Sequence, residues 1–201
     1  TVNEPVDEVF IEKRLPEAEW GGDLYKCSMA DFRNTHSVGI ENEDKGEFYA
    51  YDLKSNKKTS QHEALNRLIN GLTSGVVTKE SFAELVDIDN FLSYAAVSYF
   101  AGNPDDLRNN YNNFYLYFMK SSGKAIIIPY DCDRVFGTAI HFDPSNNALT
   151  RENPFSEYVN DTGDKQKSPL YLYSIVKGGY YVKEYASRLN EVSKSPLLKP
   201  E

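Results

Sequence analysis

The stretch at residues 103–137, NPDDLRNNYNNFYLYFMKSSGKAIIIPYDCDRVFG, decides the interpretation of this chain. Two runs rich in aromatic and β-branched residues, 113–119 and 124–130, flank Ser121-Ser122-Gly123, which is typical of a turn. The pattern predicts a β-hairpin. Because antiparallel strands run in opposite directions, the residues before the first strand and those after the second lie at the same end of it.

That end of the hairpin carries two polar clusters, DDLRNN at 105–110 and DCD at 131–133. Converging carboxylates repel, so a cation or a shared proton is needed to offset their charge. Magnesium prefers oxygen ligands and often takes only one or two protein carboxylates. Asp131 and Asp133 would share a face of an extended segment. On spacing alone, turn and helix-cap roles for these residues are an equal alternative.

The composition is that of a soluble globular chain. Its 201 residues are 40% hydrophobic and 26% charged, which predicts a single domain spanning 1–201. A net charge of −8 without a basic run argues against a nucleic-acid or anionic-membrane partner. We expect no membrane span and no targeting segment. Cys27 and Cys132 fit no metal-ligand spacing, and we expect two separate buried thiols.

The rest of the chain predicts an α+β fold dominated by helices. A nearly all-apolar helix at 91–101 stops at Gly102-Asn103-Pro104 and delivers the chain to Asp105. Lys26, on a short predicted strand, either projects toward the acidic clusters or is solvated. The other predictions are helices at 5–13, from Ser60, from Thr78, at 168–176 and at 180–192, a strand within 48–53, and loop-rich insertions at 34–58 and 141–167.

Several motifs in a fixed order resemble the CotH family of spore-coat-type atypical kinases. They are Glu4-Pro5-Val6-Asp7, Gly22-Asp23-Leu24-Tyr25-Lys26, Asn103-Pro104-Asp105-Asp106, Asn109-Asn110-Tyr111-Asn112-Asn113, and Ile128-Pro129-Tyr130-Asp131-Cys132-Asp133 with Phe136-Gly137. The resemblance implies the mostly helical larger lobe of a divergent protein-kinase-like fold, with a β-hairpin that carries the acidic site. It also implies ATP and Mg²⁺ (or Mn²⁺) between two lobes.

The resemblance assigns roles to residues of these motifs. Asp105 or its neighbour Asp106 would be the base or orienting carboxylate for the incoming hydroxyl. Asp131 would bind the metal, with Asp133 as helper. A phosphoryl-transfer site needs such charge neutralisation and such a carboxylate.

Three further residues complete the predicted site. Asn110 stands five residues after Asp105, the offset between Asp and Asn in the ordinary kinase catalytic loop, and is a candidate second metal ligand. Tyr25 and Lys26 belong to the motif implied to bind the cofactor. The implied partner is a protein with Ser or Thr acceptors, outside the cell or on a spore or cell surface.

Departures from the family pattern open an alternative. Glu4 matches a Glu that follows the small lobe's last strand, so we expect most of that lobe upstream of Thr1 and an inactive chain at 1–201. Ala125 stands where the family usually has Trp, and alanine cannot stack on adenine. The alternative is a non-catalytic surface or scaffold protein; a metal-dependent phosphoesterase is a third hypothesis.

Overall fold

The structure is a computed structural model that describes residues 4–33, 37–136, 138, 153–156, 158–159, 165–166, 168–176 and 178–196. Gly137 and most of the predicted insertion at 141–167 lie outside the described residues. So does the segment 34–36 of the other predicted insertion.

The described residues form an α+β fold, as predicted. The helices are α1 Glu8–Glu12, α2 Glu63–Thr73, α3 Lys79–Leu85, α4 Ile88–Ala101, α5 Pro169–Ser174 and α6 Val182–Ser193. The strands are β1 Leu24–Cys27, β2 Val38–Gly39, β3 Tyr51–Leu53, β4 Phe114–Phe118, β5 Ala125–Pro129, β6 Tyr158–Val159 and β7 Lys165–Gln166. The first five strands form a mixed sheet in the order β2-β3-β1-β4-β5, with only β2 and β3 parallel among its pairs.

The predicted hairpin is confirmed as β4 and β5. Phe114 pairs with Pro129 at the open end and Phe118 pairs with Ala125 near the turn. Gly123 has a φ of 65°, in the left-handed region that glycine adopts without strain, and its N–H donates to the carbonyl of Met119 at 2.7 Å. The turn therefore fixes the register that places the two polar clusters at one end.

Helix α4 positions the loop that follows it. Its cap Asp87 accepts a hydrogen bond from the Asn90 N–H at 2.9 Å, and the helix ends at Gly102, which has a φ of 64°. The Asn90 side chain bonds both backbone groups of Ile127 on β5, at 2.7 and 3.2 Å. Because α4 is tied to the hairpin in this way, the chain enters Asn103 beside the open end.

The two faces of the sheet are packed differently. One face carries Tyr25, Leu116 and Ala125 into the core formed with helices α2 to α6. The other face forms a smaller cluster with α1, made of Ile11, Leu24, Tyr115, Tyr117, Ile126 and Ile128. Lys26 pairs with Tyr115 on β4 and with Asp52 on β3, so all three lie on this second face.

Two local predictions were wrong. Ser60 does not cap α2, because its hydroxyl donates to Asp23 and the helix begins after His62, which has a φ of 56°. Cys132 is exposed, while Cys27 is buried as expected. By contrast, Thr78 caps α3 in a reciprocal capping box with Ser81. Within the described part of the chain, no helix has the length and apolar character needed to cross a membrane.

Candidate active site at the open end of the hairpin

Asp105 is held in place by asparagine side chains. Its N–H donates to Asn103 Oδ1 at 3.0 Å, and its carbonyl accepts from Asn113 Nδ2 at 3.0 Å. Its carboxylate Oδ1 accepts from Asn112 Nδ2 at 3.1 Å and from Asn110 Nδ2. The amides fix the orientation of a carboxylate whose side chain keeps 14% of its surface exposed.

Arg134 joins the two polar clusters. Its Nη1 lies 3.5 Å from the other carboxylate oxygen, Asp105 Oδ2. The backbone also closes this end, because the Tyr130 N–H donates to the Asn113 carbonyl at 3.1 Å. Segment 131–134 is therefore next to Asp105, which is the convergence expected of a hairpin.

Asp106 is buried and is hydrogen-bonded within the fold. Its side chain is 2% exposed, and its Oδ1 accepts from the N–H groups of Arg108 at 2.9 Å and Asn109 at 3.1 Å. The Ser98 hydroxyl of α4 donates to its Oδ2. Burial raises the pKa of the Asp106 carboxyl to about 6, although these hydrogen bonds oppose the shift. A carboxyl so enclosed cannot touch a substrate, so of the two alternatives predicted for the catalytic carboxylate, Asp105 and Asp106, only Asp105 stays a candidate.

A cavity of about 580 Å³ opens on the second face of the sheet beside Asp131. Lys26, Asn112 and Tyr130 are among the side chains that line it. Lys26 Nζ lies 5.1 Å from the centroid of the Tyr130 ring, a cation–π distance. Lys26 therefore lies on the wall of a cavity that Asp131 also lines.

Asp52 forms part of the cavity wall and was missed from the sequence. Its side chain is only 6% exposed, accepts from the Glu41 N–H at 2.9 Å and is paired with Lys54. Lys54 Nζ also lies 3.6 Å from Glu41. Strand alternation places Asp52 on the face opposite Tyr51 and Leu53. Its position beside Lys26 follows only from the pairing of β3 with β1.

Tyr25 does not reach this cavity. It alternates with Lys26 along β1 and is fully buried in the helix-side core. Its hydroxyl contacts His62 Nδ1 at 2.8 Å and Asp23 at 3.4 Å, and burial raises the pKa of the phenol. Tyr25 packs in the core and does not line this cavity, so it is not a candidate for binding a cofactor there.

Ala125 also faces the helix side. It is 1% exposed, belongs to the main core and lies in a parallel bridge with Val86. Position 125 points away from the cavity beside Asp131, so Ala125 does not take part in lining that cavity. Tyr130 presents an aromatic ring there, packed edge-on against Tyr115 at 5.1 Å between centroids.

Asp131 and Asp133 are exposed, and within the described residues their carboxylates form no hydrogen bond or ion pair. The described part contains no cluster of three or more His, Cys, Asp or Glu side chains placed to hold a metal ion. The Asn110 Oδ1 is buried without a hydrogen-bond partner. Carboxylate and amide oxygens are hard donors of the kind that magnesium prefers, and water and phosphate oxygens often complete its coordination.

A thiol, Cys132, lies between the two carboxylates. Partial burial, together with the negative charges of Asp106, Asp131 and Asp133, raises the pKa of Cys132. Magnesium prefers oxygen to sulfur, so the oxygen atoms of Asp131 and Asp133 are the candidate ligands of this segment.

Fold and site together define a class: an α+β domain whose sheet carries a carboxylate site at the open end of a hairpin, beside a polar cavity. Comparison of the sequence with protein-family models then gives the particular family. The model described as CotH kinase protein matches residues 1–200, so the chain belongs to the CotH kinase family. A search of curated proteins found none that matches the chain.

Proposed function

We propose that this protein is a kinase that transfers the γ-phosphoryl group of ATP to a Ser or Thr hydroxyl of a protein substrate, using Mg²⁺ or Mn²⁺. The observation that carries the proposal is the carboxylate of Asp105, fixed by two amides on Oδ1 and reachable from solvent, beside the segment with Asp131 and Asp133. Family membership supports the reaction class.

In this proposal Asp105 orients the acceptor hydroxyl. The bond between the γ-phosphorus and the β,γ-bridging oxygen breaks as a bond forms between that phosphorus and the acceptor oxygen, and the hydroxyl proton passes to Asp105. Such a transfer needs positioning and charge stabilisation more than covalent chemistry. The hydrogen bonds that fix Asp105 before substrate arrives reduce the entropy lost on reaching the reactive geometry.

The metal would be held by Asp131 and Asp133, with the Asn110 Oδ1 as a further ligand. When bound, the ion would neutralise charge on the nucleotide phosphates. These side chains offer oxygen atoms that are unpaired among the described residues. Their free state is the reason to assign them this task.

Lys26 would contact the nucleotide in the cavity. Its ammonium group lies on the cavity wall near the Tyr130 ring, where a cation can meet a phosphate and the ring can meet a base. The substrate would be a protein of a spore coat or cell surface, because the family takes its name from a coat protein.

The test is transfer of radiolabelled phosphate from ATP to protein by the full protein, compared with Asp131→Ala. Asp44→Asn, a change of an exposed acid in the short helical turn Glu43–Lys45, is the matched control. We expect transfer by the parent and the control and its loss in Asp131→Ala. Equal transfer by all three would remove Asp131 from the mechanism, and no transfer by the parent would favour the non-catalytic scaffold.

A further inference from the structure

Arg134 is a cation that lies beside Asp105, the carboxylate at the reacting position of the proposed mechanism. Among the ion pairs of the described residues, it is the one partner of the Asp105 carboxylate. The pair is loose: Nη1 lies 3.5 Å from Oδ2, and the Arg134 side chain keeps 47% of its surface exposed. The guanidinium group is thus beside the carboxylate and still in contact with solvent.

The two oxygens of Asp105 are not equivalent. Oδ1 accepts from the amides of Asn110 and Asn112, so an acceptor hydroxyl has to approach Oδ2. Oδ2 is the oxygen beside Arg134. A hydroxyl oriented by Oδ2 would therefore bring the phosphoryl group that it attacks within reach of the guanidinium.

We propose that Arg134 is a second catalytic residue, which contacts the transferring phosphoryl group; the inference rests on the proposed function. A guanidinium presents planar N–H donors that match two phosphoryl oxygens, and it stays protonated. It gives and takes no proton: the acceptor proton passes to Asp105, and ADP leaves with the electrons of the broken P–O bond. Arg134 stabilises the negative charge on the equatorial oxygens.

An opposite role is possible for the same ion pair. If Arg134 only occupied Oδ2, it would inhibit transfer, and its removal would free Asp105. The two roles predict opposite changes in turnover, so a single substitution distinguishes them.

The experiment measures steady-state transfer of labelled phosphate by the full protein and by Arg134→Ala, Arg134→Gln and Arg134→Lys. Arg188→Gln is the control, a partly exposed arginine of α6 that is paired with Asp89 and Glu191. We expect Arg134→Ala to lower kcat by about 10²- to 10³-fold, as removal of one transition-state donor does. Arg134→Lys should retain part of the rate, and guanidinium chloride at millimolar concentration should restore at least part of it to Arg134→Ala.

The outcomes separate the inference from the proposed function. Turnover in Arg134→Ala equal to or above that of the parent, or a loss that guanidinium does not restore, overturns the role of Arg134 alone. An inactive parent protein removes the proposed function itself. Thermal unfolding checks each variant, and Arg134→Gln serves for the same comparison and rescue if Arg134→Ala does not fold.

Discussion

The two ends of the β4–β5 hairpin use their acidic residues in different ways. At the closed end, near the turn, Glu19 accepts from the Ser121 N–H at 3.1 Å and from its hydroxyl at 2.5 Å. Asp23, close by, accepts from Asn56 at 2.9 Å and Ser60 at 2.5 Å. Each of these carboxylates binds neutral donors of the fold.

At the open end, Asp105 combines amide donors with an ion pair, while Asp131 and Asp133 have no partner among the described residues. Carboxylates close together raise the free energy of the folded state unless a cation offsets them. The acids of the closed end therefore stabilise the fold, whereas those of the open end are available to a ligand. The predictions below test that difference.

The largest expected effect is on activity. Asp105→Asn keeps the shape of the side chain but removes its negative charge, so we expect the rate of phosphoryl transfer to fall by about 10²- to 10⁴-fold. The full protein is assayed with labelled ATP, and its unfolding temperature is measured in parallel. Asp44→Asn is again the control. An unchanged rate would contradict the assignment of the acids at the open end to ligand binding and catalysis.

Gly22→Ala probes the closed end, where we expect the largest loss of stability. A β-carbon at position 22 would lie 1.7 Å from the Phe118 carbonyl oxygen, a backbone atom that cannot move without disturbing β4. We expect a loss of about 3 kcal/mol or more in the free energy of unfolding, above the usual cost of overpacking. Urea unfolding measures it.

Gly75→Ala, which meets no atom within 4 Å but has a φ of 81°, isolates the cost of backbone strain. We expect it to lose about 1 kcal/mol. A Gly22 variant no less stable than this control would show that the close approach of residue 22 to β4 is wrong.

Asp106→Asn tests whether the buried acid at the open end is structural. The pKa of Asp106 is about 6 in the folded state, above the value of 3.8 expected for the unfolded chain. Between pH 3.8 and pH 6 the folded state therefore binds this proton more tightly than the unfolded state does. The contribution of this carboxyl to stability is therefore fully present below pH 3.8 and is lost as pH rises through 6. A shift of about 2 units corresponds to about 3 kcal/mol at most.

The amide can accept from Arg108 and Asn109 as before and donate to Ser98. We expect Asp106→Asn to lack this decrease between pH 4 and 6, so that at pH 7 it is at least as stable as the parent. Urea unfolding across this pH range measures the slope. A variant that retains the parent's slope would show that another group titrates there.

The smallest effect is expected for Glu19→Ala at the closed end. The change removes two hydrogen bonds to Ser121 near the surface, and we expect a loss of about 1 kcal/mol in the free energy of unfolding. Glu17→Ala, an exposed acid in the same short helical turn, is the control. Transfer activity should be unchanged in both, and a loss of activity in Glu19→Ala would break the separation of the two ends.

The elements of the site could be predicted from sequence because their signals are local. Alternating and apolar runs predicted β4, β5 and α4, and Gly102 predicted the point where α4 ends. The start of α2 could not be predicted, since Ser60 bonds to Asp23, 37 residues earlier, instead of capping its own helix. Such a choice depends on tertiary contacts that a local motif does not contain.

Tertiary contacts also decide between two adjacent residues of the same type within the site. Asp105 and Asp106 are chemically identical in sequence, and their tertiary contacts distinguish them: Asp106 is buried against Ser98 of α4, whereas Asp105 contacts Arg134. The orientation of Ala125 depends on the register of the hairpin, which is known only from the pairing of Ala125 with Phe118 in the structure. Arg134 had one sequence signal, a basic residue directly after Asp133, but its distance to Asp105 is a property of the fold.

The place of β1 between β3 and β4 has a consequence for how the chain is made. Cys27 pairs with Phe114, about 90 residues later in the chain, while β4 and β5 pair across a short turn. At the usual rate of about 5 to 20 residues per second, β1 emerges from a ribosome on the order of 5 to 20 s before β4 does. During that interval one edge of β1 has no strand to pair with. The sheet on which the candidate site depends can be completed only after the hairpin has been synthesised.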